Sequence, residues 1–591
     1  MTFESIPHRI LKQAGLRPDL PAYFEKKGGS WVATSWRDYA AQMRRVAKAM
    51  IALGLEPDGA VAVLGFNTAE WTLFDVGAMA AGAKPAGIYT TNSPEEVQYI
   101  THHCEARLIL LEDQGQWDKV NQVRDELPHL HKAVMMSGAP DIDDELVLSW
   151  DEFLAAGDAI DDAALDARMA GIQPDGVATL IYTSGTTGPP KGVMLTHDNL
   201  AWTADCALQI VGVNENDCSL SYLPLSHIAE QMFTIHVPAT AGSAVYYAQS
   251  IEAVPENLKE VQPTVFFGVP RIWEKFHTGI ASKMADATGV KAKLISWARG
   301  VGSKVSALRM EGREPGGLLA MQYNLATKLI FSKLKPAVGM GRARVCVSGA
   351  APIAREVLEF FASLDIIVHE VYGQSEDSGP TSFNQPGRTR IGSVGPAIPG
   401  CEVKIAEDGE ILVKGRNVFA GYFKDEDATN DTLIDGWLHS GDLGSFDDDG
   451  YLYITGRKKE IIITAGGKNI APKNLEAAMK NHPLINEAVV IGDRRKFLSA
   501  VITIDPDAGA AWAEANGTTV DALPDFEPLI ADIQAHVDTM NQQFARVEQI
   551  KKFRILPRNL SVEEGELTAT LKVKRRKVYD HFADIIDGMY A

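Results

Sequence analysis

Short apolar segments alternate with amphipathic segments through the first two thirds of the chain. Strand-like strings such as AVAVLGF and TVFFGVP lie at 60–66, 106–112, 244–249, 264–270, 343–350 and 366–373. Residues 37–53 space their apolar side chains three and four apart and stop at Gly54, which predicts an amphipathic helix. Strands that alternate with helices usually pair in parallel and are covered on both faces. We therefore expect an α/β fold with largely buried parallel sheets.

The pattern changes near residue 391, where short strands and turn residues replace the alternation. Strings such as CEVKIAEDGEILVKG and GYLYITGR are typical of a β-rich subdomain, which we place at about 391–457. The remainder, 458–591, mixes strand and helix patterns and predicts a small α+β domain. Glycines in the joining string GRKKEIIITAGGKNIAP suit a hinge, although an ordinary domain linker would look similar. We predict a large domain over 1–457 and a small, mobile domain over 458–591.

Composition excludes several classes of protein. At 591 residues the chain is longer than one hydrophobic core normally serves. Its five cysteines are scattered, which argues against a disulfide framework or a zinc site, and a net charge of −20 argues against general nucleic-acid binding. The first twenty residues lack the apolar core of a signal peptide, and no run reaches the ~20 apolar residues of a membrane helix. We expect a cytoplasmic enzyme.

One segment has the opposite charge from the rest of the chain. Between Lys275 and Arg344 there are thirteen Lys or Arg residues against three acids, within a predicted helical insertion at about 275–342. A solvated helical face is the simplest interpretation. The alternative is a surface that attracts anionic lipid or a polyanion such as coenzyme A, which would bring the protein to the inner face of a membrane.

The string YTSGTTGPPKG at 182–192 fits neither of two common phosphate-binding patterns. Pro190 stands where the nucleotide P-loop has its second glycine. Thr187 stands where the dinucleotide fingerprint has its second glycine. Glycines nevertheless let the backbone approach an anion, hydroxyls supply donors, and Lys191 supplies positive charge. A flexible linker is the alternative. The position after the apolar run VATLI and the lysine at the end favour polyphosphate binding.

Other segments carry groups that suit a nucleotide. VYGQSE supplies an aromatic ring, Tyr372, and a carboxylate, Glu376, that could hold Mg²⁺. WLHSGDLG supplies Asp442, which could accept hydrogen bonds from ribose, and TGRKKE supplies Arg457. Taken singly, each residue also suits a plain structural role in the core, in a turn or on the surface. Their combination favours a nucleotide site.

Together these strings resemble the motifs of the adenylate-forming superfamily of acyl-CoA synthetases, acyl-adenylating domains and firefly luciferase. YTSGTTGPPKG resembles its phosphate loop, YGQSE its Y-G-x-T-E element, and GEILVKGRNVFAGYF its G-E-x-x-x-x-G-x-x-x-x-G-Y element. SGDLG and GRKKEIIITAGGKNIAP resemble its ribose and hinge region. The matches run in order from roughly residue 30 to 577, which makes the resemblance specific.

Within that superfamily the sequence resembles the long-chain fatty acyl-CoA synthetases, particularly bacterial and bubblegum-type members. The hinge string, the ending LTATLKVKRR and the long insertion between VPRIWEKF and VCVSGAAP carry this resemblance. It implies that a fatty carboxylate attacks the α-phosphorus of MgATP, giving acyl-adenylate and pyrophosphate, and that coenzyme A then displaces AMP. ATP, Mg²⁺ and coenzyme A are thus the implied cofactors and co-substrates, and a homodimer is expected.

The resemblance also implies roles for individual residues. It assigns the β- and γ-phosphates to Thr183, Ser184, Gly185, Thr186, Thr187, Gly188 and Lys191. It assigns the α-phosphate and Mg²⁺ to Ser375 and Glu376, with Thr183 as a second metal contact, and adenine to Gly349, Ala350, Tyr372, Gly373 and Gln374. Asp442 and Arg457 would bind ribose. Ser375 departs from the usual threonine but keeps the hydroxyl.

The implied roles outside the nucleotide site concern catalysis, the hinge and the acyl pocket. Lys572 matches the C-terminal catalytic lysine, although it follows Leu571 where many relatives have glycine. Lys459 falls at the hinge, and Gly466 and Lys468 would reach the thioester site with coenzyme A. Trp273 resembles the gate of the fatty-acid tunnel and His227 a pocket histidine. A core tryptophan and a helix-capping histidine are the alternatives.

Three other functions remain open at this point. An acyl-AMP ligase would pass its acyl group to a carrier protein, but such relatives generally carry an insertion after the hinge, and none is obvious here. The substrate could also be another apolar carboxylate, of medium chain length or aromatic. A silent nucleotide-binding or lipid-binding scaffold would be expected to lose Glu376 or Lys572, and both are present.

Overall fold

A sheet built around parallel strands lies at the centre of the amino-terminal half of the protein. The computed structural model describes residues 3–183, 189–465, 468–568 and 571–591. In spatial order this sheet contains Gly421–Tyr422, Lys191–Thr196, Val177–Thr183, Lys84–Ile88, Ala60–Leu64, Ala106–Leu111, Lys132–Met135 and Val147–Leu148. Neighbouring strands from Val177–Thr183 onward are parallel, and the two pairings at the other edge are antiparallel.

Two further sheets continue this architecture. One contains Cys218–Ser221, Ala244–Tyr247, Pro21–Lys27 and Ser30–Ser35, and the other contains Val265–Gly268, Val345–Ser348, Val368–Tyr372 and Ser382–Phe383. In each, the first three strands are parallel and the last is antiparallel. The parallel sheets expected from the alternating pattern are confirmed.

The sheets in the later part of the chain differ from the parallel sheets, as the change of pattern near residue 391 predicts. Antiparallel strands Glu402–Ile405, Glu410–Lys414, Leu433–Ile434, Trp437–Phe446 and Leu452–Arg457 form the β-rich subdomain. Beyond a short ribbon of Ile462–Ile463 with Asn469–Ile470, the carboxyl-terminal part has the mixed sheet Ile485–Ile491, Leu498–Ile504 and Ile550–Ile555. This part has an apolar core of its own around Leu475, Val490 and Ile533.

Helices cover the sheets on both sides. The α-helices are Ile6–Leu16, Trp36–Ala52, Ala69–Ala80, Pro94–His103, Gln114–Val123, Trp150–Ala156, Asp162–Ala170, His197–Val211, Ile228–Gln231, Val237–Ala241, Val254–Val261, Pro270–Ala285, Gly289–Met310, Gly317–Ala326, Ser332–Ala337, Arg355–Ser363, Glu426–Thr432, Pro472–Met479, Pro506–Ala515, Glu527–Asn541, Arg575–His581 and Ala583–Gly588. Short 3₁₀ turns lie at Arg124–Glu126, Gly157–Ala159, Ser375–Asp377, Lys458–Glu460 and Val520–Asp525, and π-helical turns at Met232–His236 and Thr327–Phe331.

Local sequence signals account for the start and end of the helix predicted at 37–53. The Ser35 hydroxyl accepts a hydrogen bond from the backbone N–H of Asp38, which caps the first turn of Trp36–Ala52. Gly54 follows the helix with a φ of +83°, a conformation that glycine adopts without a steric cost. The predicted helix is therefore confirmed to within one residue at each end.

The cysteines and the hydropathy of the helices agree with the composition. Each of the five cysteines is buried and free, so the chain has no disulfide. Within the parts of the chain that the structure describes, no helix combines the length and the apolar character needed to cross a bilayer.

The helix Ala69–Ala80 is buried on all sides and contains a carboxylate without a partner. Every residue of this helix except Glu70 is buried, and Asp75 has no exposed surface. Neither of its carboxylate oxygens has a hydrogen-bond partner among the described residues, and burial raises its pKa to about 8. After burial, the charge of Asp75 is one of the causes that raise the pKa of the titratable neighbour Tyr39. Asp75 is therefore protonated in the folded protein near neutral pH.

This burial predicts a pH dependence of stability. The unfolded chain releases the Asp75 proton above pH ~4, whereas the folded chain retains it up to about pH 8, so stability should fall as pH rises between these values. Asp75→Asn keeps the shape of the neutral acid, and its amide does not ionise. In scanning calorimetry, the melting temperature of the variant should fall less than that of the wild type between pH 5 and 7.5. At pH 7.5 it should be about 2 °C or more above that of the wild type. Asp19→Asn, at an exposed carboxylate, is the control. Parallel curves for Asp75→Asn and wild type would contradict the prediction.

Candidate active site

The turn after the strand Val368–Tyr372 places candidate residues at the carboxyl edge of a parallel sheet. Asp377 is fully buried; it accepts a hydrogen bond from the backbone N–H of Gln374 at 2.6 Å and another from the Thr381 hydroxyl. Gly373 must be glycine, because a Cβ there would lie 1.5 Å from the carbonyl oxygen of Gly379. These contacts fix the turn from which Ser375 and Glu376 project.

Asp442 collects donors from two sheets. Its Oδ2 accepts from the Tyr372 hydroxyl at 2.9 Å and from Gln374 Nε2 at 2.6 Å, and its Oδ1 accepts from Arg457 Nε at 2.8 Å. Asp442 and Arg457 are directly opposite each other on paired strands, which explains their contact. Burial and then the Asp442 charge raise the pKa of Tyr372 well above its usual value, so this phenol stays protonated. The carboxylate, although buried, is therefore well hydrogen-bonded.

Glu376 and Lys191 are joined through Tyr422. The Tyr422 hydroxyl donates to Glu376 Oε1 at 2.8 Å, and Lys191 Nζ lies 4.8 Å from the centre of the Tyr422 ring. Lys191 Nζ is also 3.9 Å from Asp425 Oδ2. These contacts exist because Gly421–Tyr422 pairs with Lys191–Thr196 at the edge of the large sheet.

The strands on either side of the glycine-rich loop are paired. Thr183 is opposite Lys191, and its hydroxyl lies 3.5 Å from the Lys191 carbonyl oxygen. The predicted phosphate ligands Ser184, Gly185, Thr186, Thr187 and Gly188 lie outside the described residues, as does Gly466. The described ends of the loop thus bring Lys191 to the same edge of the protein as Glu376.

Lys572 reaches the same region from the carboxyl-terminal part. Its backbone N–H donates to the Thr568 hydroxyl at 3.0 Å, and the preceding Leu571 has a φ of +58°. Glycine would adopt this left-handed conformation without the steric cost that leucine carries. Lys572 is exposed to solvent. The desolvation that lowers the pKa of its ammonium group is therefore due to the protein that lines an open cleft, and not to burial in a core.

Electrostatic interactions place Lys572 among the other candidates. Desolvation is the main cause that lowers its pKa, and the cations Arg457 and Lys473 lower it further, while Asp442 and Glu376 act in the opposite direction. Burial lowers the pKa of His227 to about 4, with Lys572 as the second cause. The sequence separates Lys572 from Glu376 by almost two hundred residues, and the fold brings their charges close enough to interact.

An apolar cavity opens beside this group. His227, Ala350, Gly373 and Gln374 line it at the carboxyl ends of the strands, where the nucleotide candidates lie. From there it continues between the helix His197–Val211, the helical segment 228–241 and the strands that begin at Cys218 and Val265. Apart from Asp217 and a few hydroxyl and thiol groups, the deeper wall is hydrocarbon and aromatic. Such a cavity suits a long, flexible apolar ligand with its polar end at His227.

Asp217 lines the cavity at the end away from His227 and is paired with Arg344. Arg344 Nε donates to Asp217 Oδ1 at 2.8 Å, and the same guanidinium donates to the carbonyl oxygens of Val211 and Gly212 at 3.0 Å. The ion pair therefore holds the end of the helix His197–Val211 against the beginning of the strand Cys218–Ser221. Its position opposite the His227 end follows from the parallel direction of the strands.

Comparison with known proteins now identifies the family. The AMP-binding enzyme family matches residues 10–423, and the AMP-binding enzyme C-terminal domain matches residues 459–591. The chain belongs to the AMP-binding enzymes. The predicted domain boundary at 457/458 falls between the two matched segments and stays a prediction.

Relatives and solved structures agree with this assignment. The long-chain-fatty-acid--CoA ligase ACSBG2 of Xenopus laevis is 41% identical over 97% of this chain and 82% of its own, and that of Homo sapiens is 37% identical over 96% and 90%. The fold is shared with the anthranilate CoA ligase AuaEII in complex with anthranoyl-AMP (TM-score 0.74, 20% identity, 100% and 99% covered). It is also shared with the adenylation domain of a carboxylate reductase from Mycobacterium chelonae (TM-score 0.75, 21% identity, 100% and 92% covered).

In this AMP-binding enzyme, most predicted residues that the structure describes come together. Glu376, Ser375, Tyr372, Gly373, Gln374, Asp442, Arg457, Lys191, Thr183 and Lys572 surround one region, as the contacts above describe. Gly349 and Ala350 follow the neighbouring strand Val345–Ser348; a Cβ on Gly349 would meet Val371 Cγ1 at 2.5 Å, and Ala350 lines the cavity with a φ of +68°. Their roles in catalysis or binding stay predictions.

Trp273 lies apart from the cavity. It has no exposed surface, packs edge-on against Phe266 and Phe361, and donates its indole N–H to the carbonyl oxygens of Gly268 and Val347 at 3.1 and 3.2 Å. It does not line the cavity that His227 enters. The alternative interpretation, a core tryptophan, accounts for these contacts, and the gate role stays a prediction.

His227 fits both of its interpretations. Its Nδ1 accepts a hydrogen bond from the backbone N–H of Ala229 at 3.1 Å, so it caps the short helix Ile228–Gln231. The same residue lines the cavity mouth near Lys572. Because its pKa is about 4, the ring is neutral near pH 7.

Two predicted residues lie where the chain passes into its carboxyl-terminal part. Lys459 is exposed in the turn Lys458–Glu460, immediately after Arg457. Lys468 is exposed as well, and its backbone N–H donates to the Thr464 hydroxyl at 3.2 Å. The neighbouring Lys458 is held by Asp408 at 2.6 Å and Glu410 at 3.1 Å.

Sequence reasoning missed the contacts between the two matched segments. Arg271 Nη2 donates to Asn486 Oδ1 at 2.5 Å and to Asp505 Oδ2 at 3.1 Å. Asn481 Nδ2 donates to Glu356 Oε2 at 3.3 Å. Arg271 lies in the string VPRIW, in which the resemblance assigns a role to Trp273. No pattern in the sequence indicates a role for Arg271.

Proposed function

We propose that the protein is a long-chain fatty acid–CoA ligase that forms acyl-AMP and then acyl-CoA. The observation that carries this proposal is the meeting of Lys572, Glu376 and Asp442 at the mouth of a deep apolar cavity. The names of the relatives that are 37–41% identical over nearly the whole chain support the same substrates.

In the first step, an oxygen of the fatty carboxylate bonds to the α-phosphorus of ATP, and the bond from that phosphorus to the bridging oxygen breaks. Pyrophosphate leaves with the electron pair. Negative charge on the carboxylate and the phosphate must be brought together, so a cation between them lowers the barrier. We assign this task to Lys572, since it lies near both Glu376 and the His227 end of the cavity.

The nucleotide would be held around Asp442. Ribose hydroxyls can donate to the second lone pairs of the Asp442 oxygens, and Arg457 keeps that carboxylate in place. Adenine would lie against Tyr372, with Gly349, Ala350, Gly373 and Gln374 around it. The leaving phosphates would be bound by Lys191 and Thr183, together with the loop residues 184–188.

Mg²⁺ fits the residues at Glu376. Carboxylate oxygen is the ligand that Mg²⁺ prefers, and Tyr422 donates to Oε1 of Glu376, while no hydrogen bond from a described residue is seen at Oε2. The ion would be held by Glu376 and the phosphates, with Thr183 as the second protein contact, and it would supply positive charge to the triphosphate. The described residues contain no cluster of three or more His, Cys, Asp or Glu that would bind a metal without the nucleotide.

In the second step, the sulfur of coenzyme A bonds to the acyl carbonyl carbon, AMP leaves with its phosphate oxygen, and the thiol proton passes to solvent. Rotation of the small domain at Lys459 would withdraw Lys572 and bring Gly466 and Lys468 to the thioester site. Such a rotation must break the contacts of Arg271 with Asn486 and Asp505. We also predict a homodimer, a cytoplasmic location and peripheral contact with an anionic membrane.

Three alternatives differ from this proposal in measurable ways. An acyl-AMP ligase would make the same adenylate but pass it to a carrier protein. A ligase for a medium-chain or aromatic acid would use the cavity differently, because such acids would leave its deep end unfilled. A silent scaffold would bind ligands without turnover.

A pyrophosphate-release assay across carboxylic acids, with and without coenzyme A, tests the proposal. We expect release to be fastest with long-chain fatty acids and acyl-CoA to form when coenzyme A is present. Pyrophosphate without acyl-CoA would favour the carrier-protein ligase, and a maximum at short or aromatic acids would favour the other ligases. No release with any acid would leave the scaffold.

Lys572→Ala should separate the two half-reactions. Adenylation should slow by 10²-fold or more, because the variant lacks the cation between carboxylate and phosphate, whereas thioester formation from supplied acyl-adenylate should change less than about fivefold. Lys577→Ala is the matched control, since Lys577 belongs to the same basic run and is exposed on the helix Arg575–His581. Equal loss of both half-reactions in Lys572→Ala would refute the assigned role.

Ile210→Trp should shorten the acyl cavity. Ile210 lines the cavity near the Asp217–Arg344 pair, so a larger ring there would fill space that a long chain needs. We expect kcat/KM for a sixteen-carbon acid to fall about tenfold or more, with little change for an eight-carbon acid. Gln209→Trp, on the exposed side of the same helix, should leave both values unchanged. A uniform loss across chain lengths would place the acyl chain elsewhere.

A further inference from the structure

The chain from 317 to 337 forms one continuous helical segment on the surface of the basic insertion. It consists of Gly317–Ala326, the π-helical turn Thr327–Phe331 and Ser332–Ala337. Its inner face packs on the helix Gly289–Met310, where Ala326 and Phe331 are fully buried against Ala298 and Val301. The inner face alone therefore accounts for the attachment of this segment to the protein.

The outer face of the same segment is also apolar. Leu318 is 70% exposed, Met321 71%, Leu325 49% and Leu329 39%. Intervals of three and four residues put these side chains on one side of a helix. They contribute little to the folded core, and together they form a contiguous apolar stripe, which is unusual on a surface that faces only water.

The charged side chains within the segment all have one sign. Residues 317–337 contain three lysines and no acidic residue. Lys335 pairs with Asp365 at 2.9 Å, whereas Lys328 and Lys333 are exposed and have no ion-pair partner among the described residues. The segment thus combines an apolar stripe with exposed lysines that have no ion-pair partner among the described residues.

We propose that this face docks on an anionic lipid bilayer, with the helix in the plane of the interface and the four apolar side chains below the headgroups. Amphipathic helices that lie in the interface have this composition, an apolar side bordered by lysines. The insertion is strongly basic, while the chain as a whole has a net charge of −20, so an anionic surface would attract this face and repel the others.

A second copy of the chain fits the face less well. In a two-fold contact through the stripe, the lysines of the segment would approach the identical basic segment of the other copy, and no acidic residue of the segment would neutralise them. An anionic bilayer supplies both the apolar layer and the opposite charge. The inference does not depend on the reaction proposed above.

Vesicle flotation of the full-length protein tests the inference. Binding to phosphatidylcholine vesicles with 30% phosphatidylglycerol should exceed binding to pure phosphatidylcholine and should weaken with salt. A fourfold variant, Leu318→Gln, Met321→Gln, Leu325→Gln and Leu329→Gln, should lose about tenfold or more of its partition coefficient on anionic vesicles. Lys328→Gln with Lys333→Gln should lose about fivefold per lysine.

Matched controls separate the helix from general surface effects. Leu16→Gln with Val547→Gln removes exposed apolar side chains elsewhere, and Lys551→Gln removes an exposed lysine elsewhere. Neither control should change vesicle binding, and the melting temperatures of all variants should match the wild type, because the altered side chains are exposed. Wild-type binding by the fourfold variant, or equal binding to neutral and anionic vesicles, would overturn the inference. Light scattering that shows the fourfold variant converting a dimer into a monomer would assign the face to a second copy instead.

Discussion

The carboxylate of Asp442 holds together the two kinds of sheet on which the active site depends. It lies on an antiparallel strand of the β-rich subdomain, yet two of its three donors, Tyr372 and Gln374, come from the carboxyl edge of a parallel sheet. The third donor, Arg457, is the last residue before the turn that contains the proposed hinge. A buried carboxylate with this many donors is costly to disrupt, because any lost donor would leave charge unsatisfied. The position of the hinge relative to the nucleotide residues is therefore fixed by hydrogen bonds to one side chain.

Much of this arrangement could be predicted from the sequence, because short motifs lie where strands end. Glu376 and Tyr372 follow one parallel strand and Gly349 follows its neighbour, so parallel pairing alone brings them to one edge. The pairing of Asp442 with Arg457 likewise follows from two adjacent strands joined by a tight turn. Local patterns thus place residues that belong to neighbouring elements.

Contacts between distant elements could not be predicted in this way. Tyr422 meets Glu376 only because a two-residue strand adds to the edge of the large sheet, and Arg271 meets Asn486 and Asp505 only after both parts of the chain have folded. Trp273 also shows that a short string does not specify which distant residues pack against a side chain. Its string resembles a gate, but the direction of the indole depends on Phe266 and Phe361 packing against it, and nothing in the string specifies them.

The electrostatics of Lys572 connect the proposed reaction to the proposed movement of the small domain. In the protein alone, desolvation lowers the pKa of Lys572, the cations Arg457 and Lys473 lower it further, and Asp442 with Glu376 compensates only in part. Triphosphate and a fatty carboxylate would add the missing negative charge and so favour the orientation in which Lys572 faces the site. Departure of pyrophosphate removes most of that charge. The small domain would then be held chiefly by polar contacts such as the partly buried ones of Arg271 and the exposed one of Asn481, and such contacts near a surface are individually weak. On this argument the first half-reaction itself removes the interaction that keeps the domain in place for it.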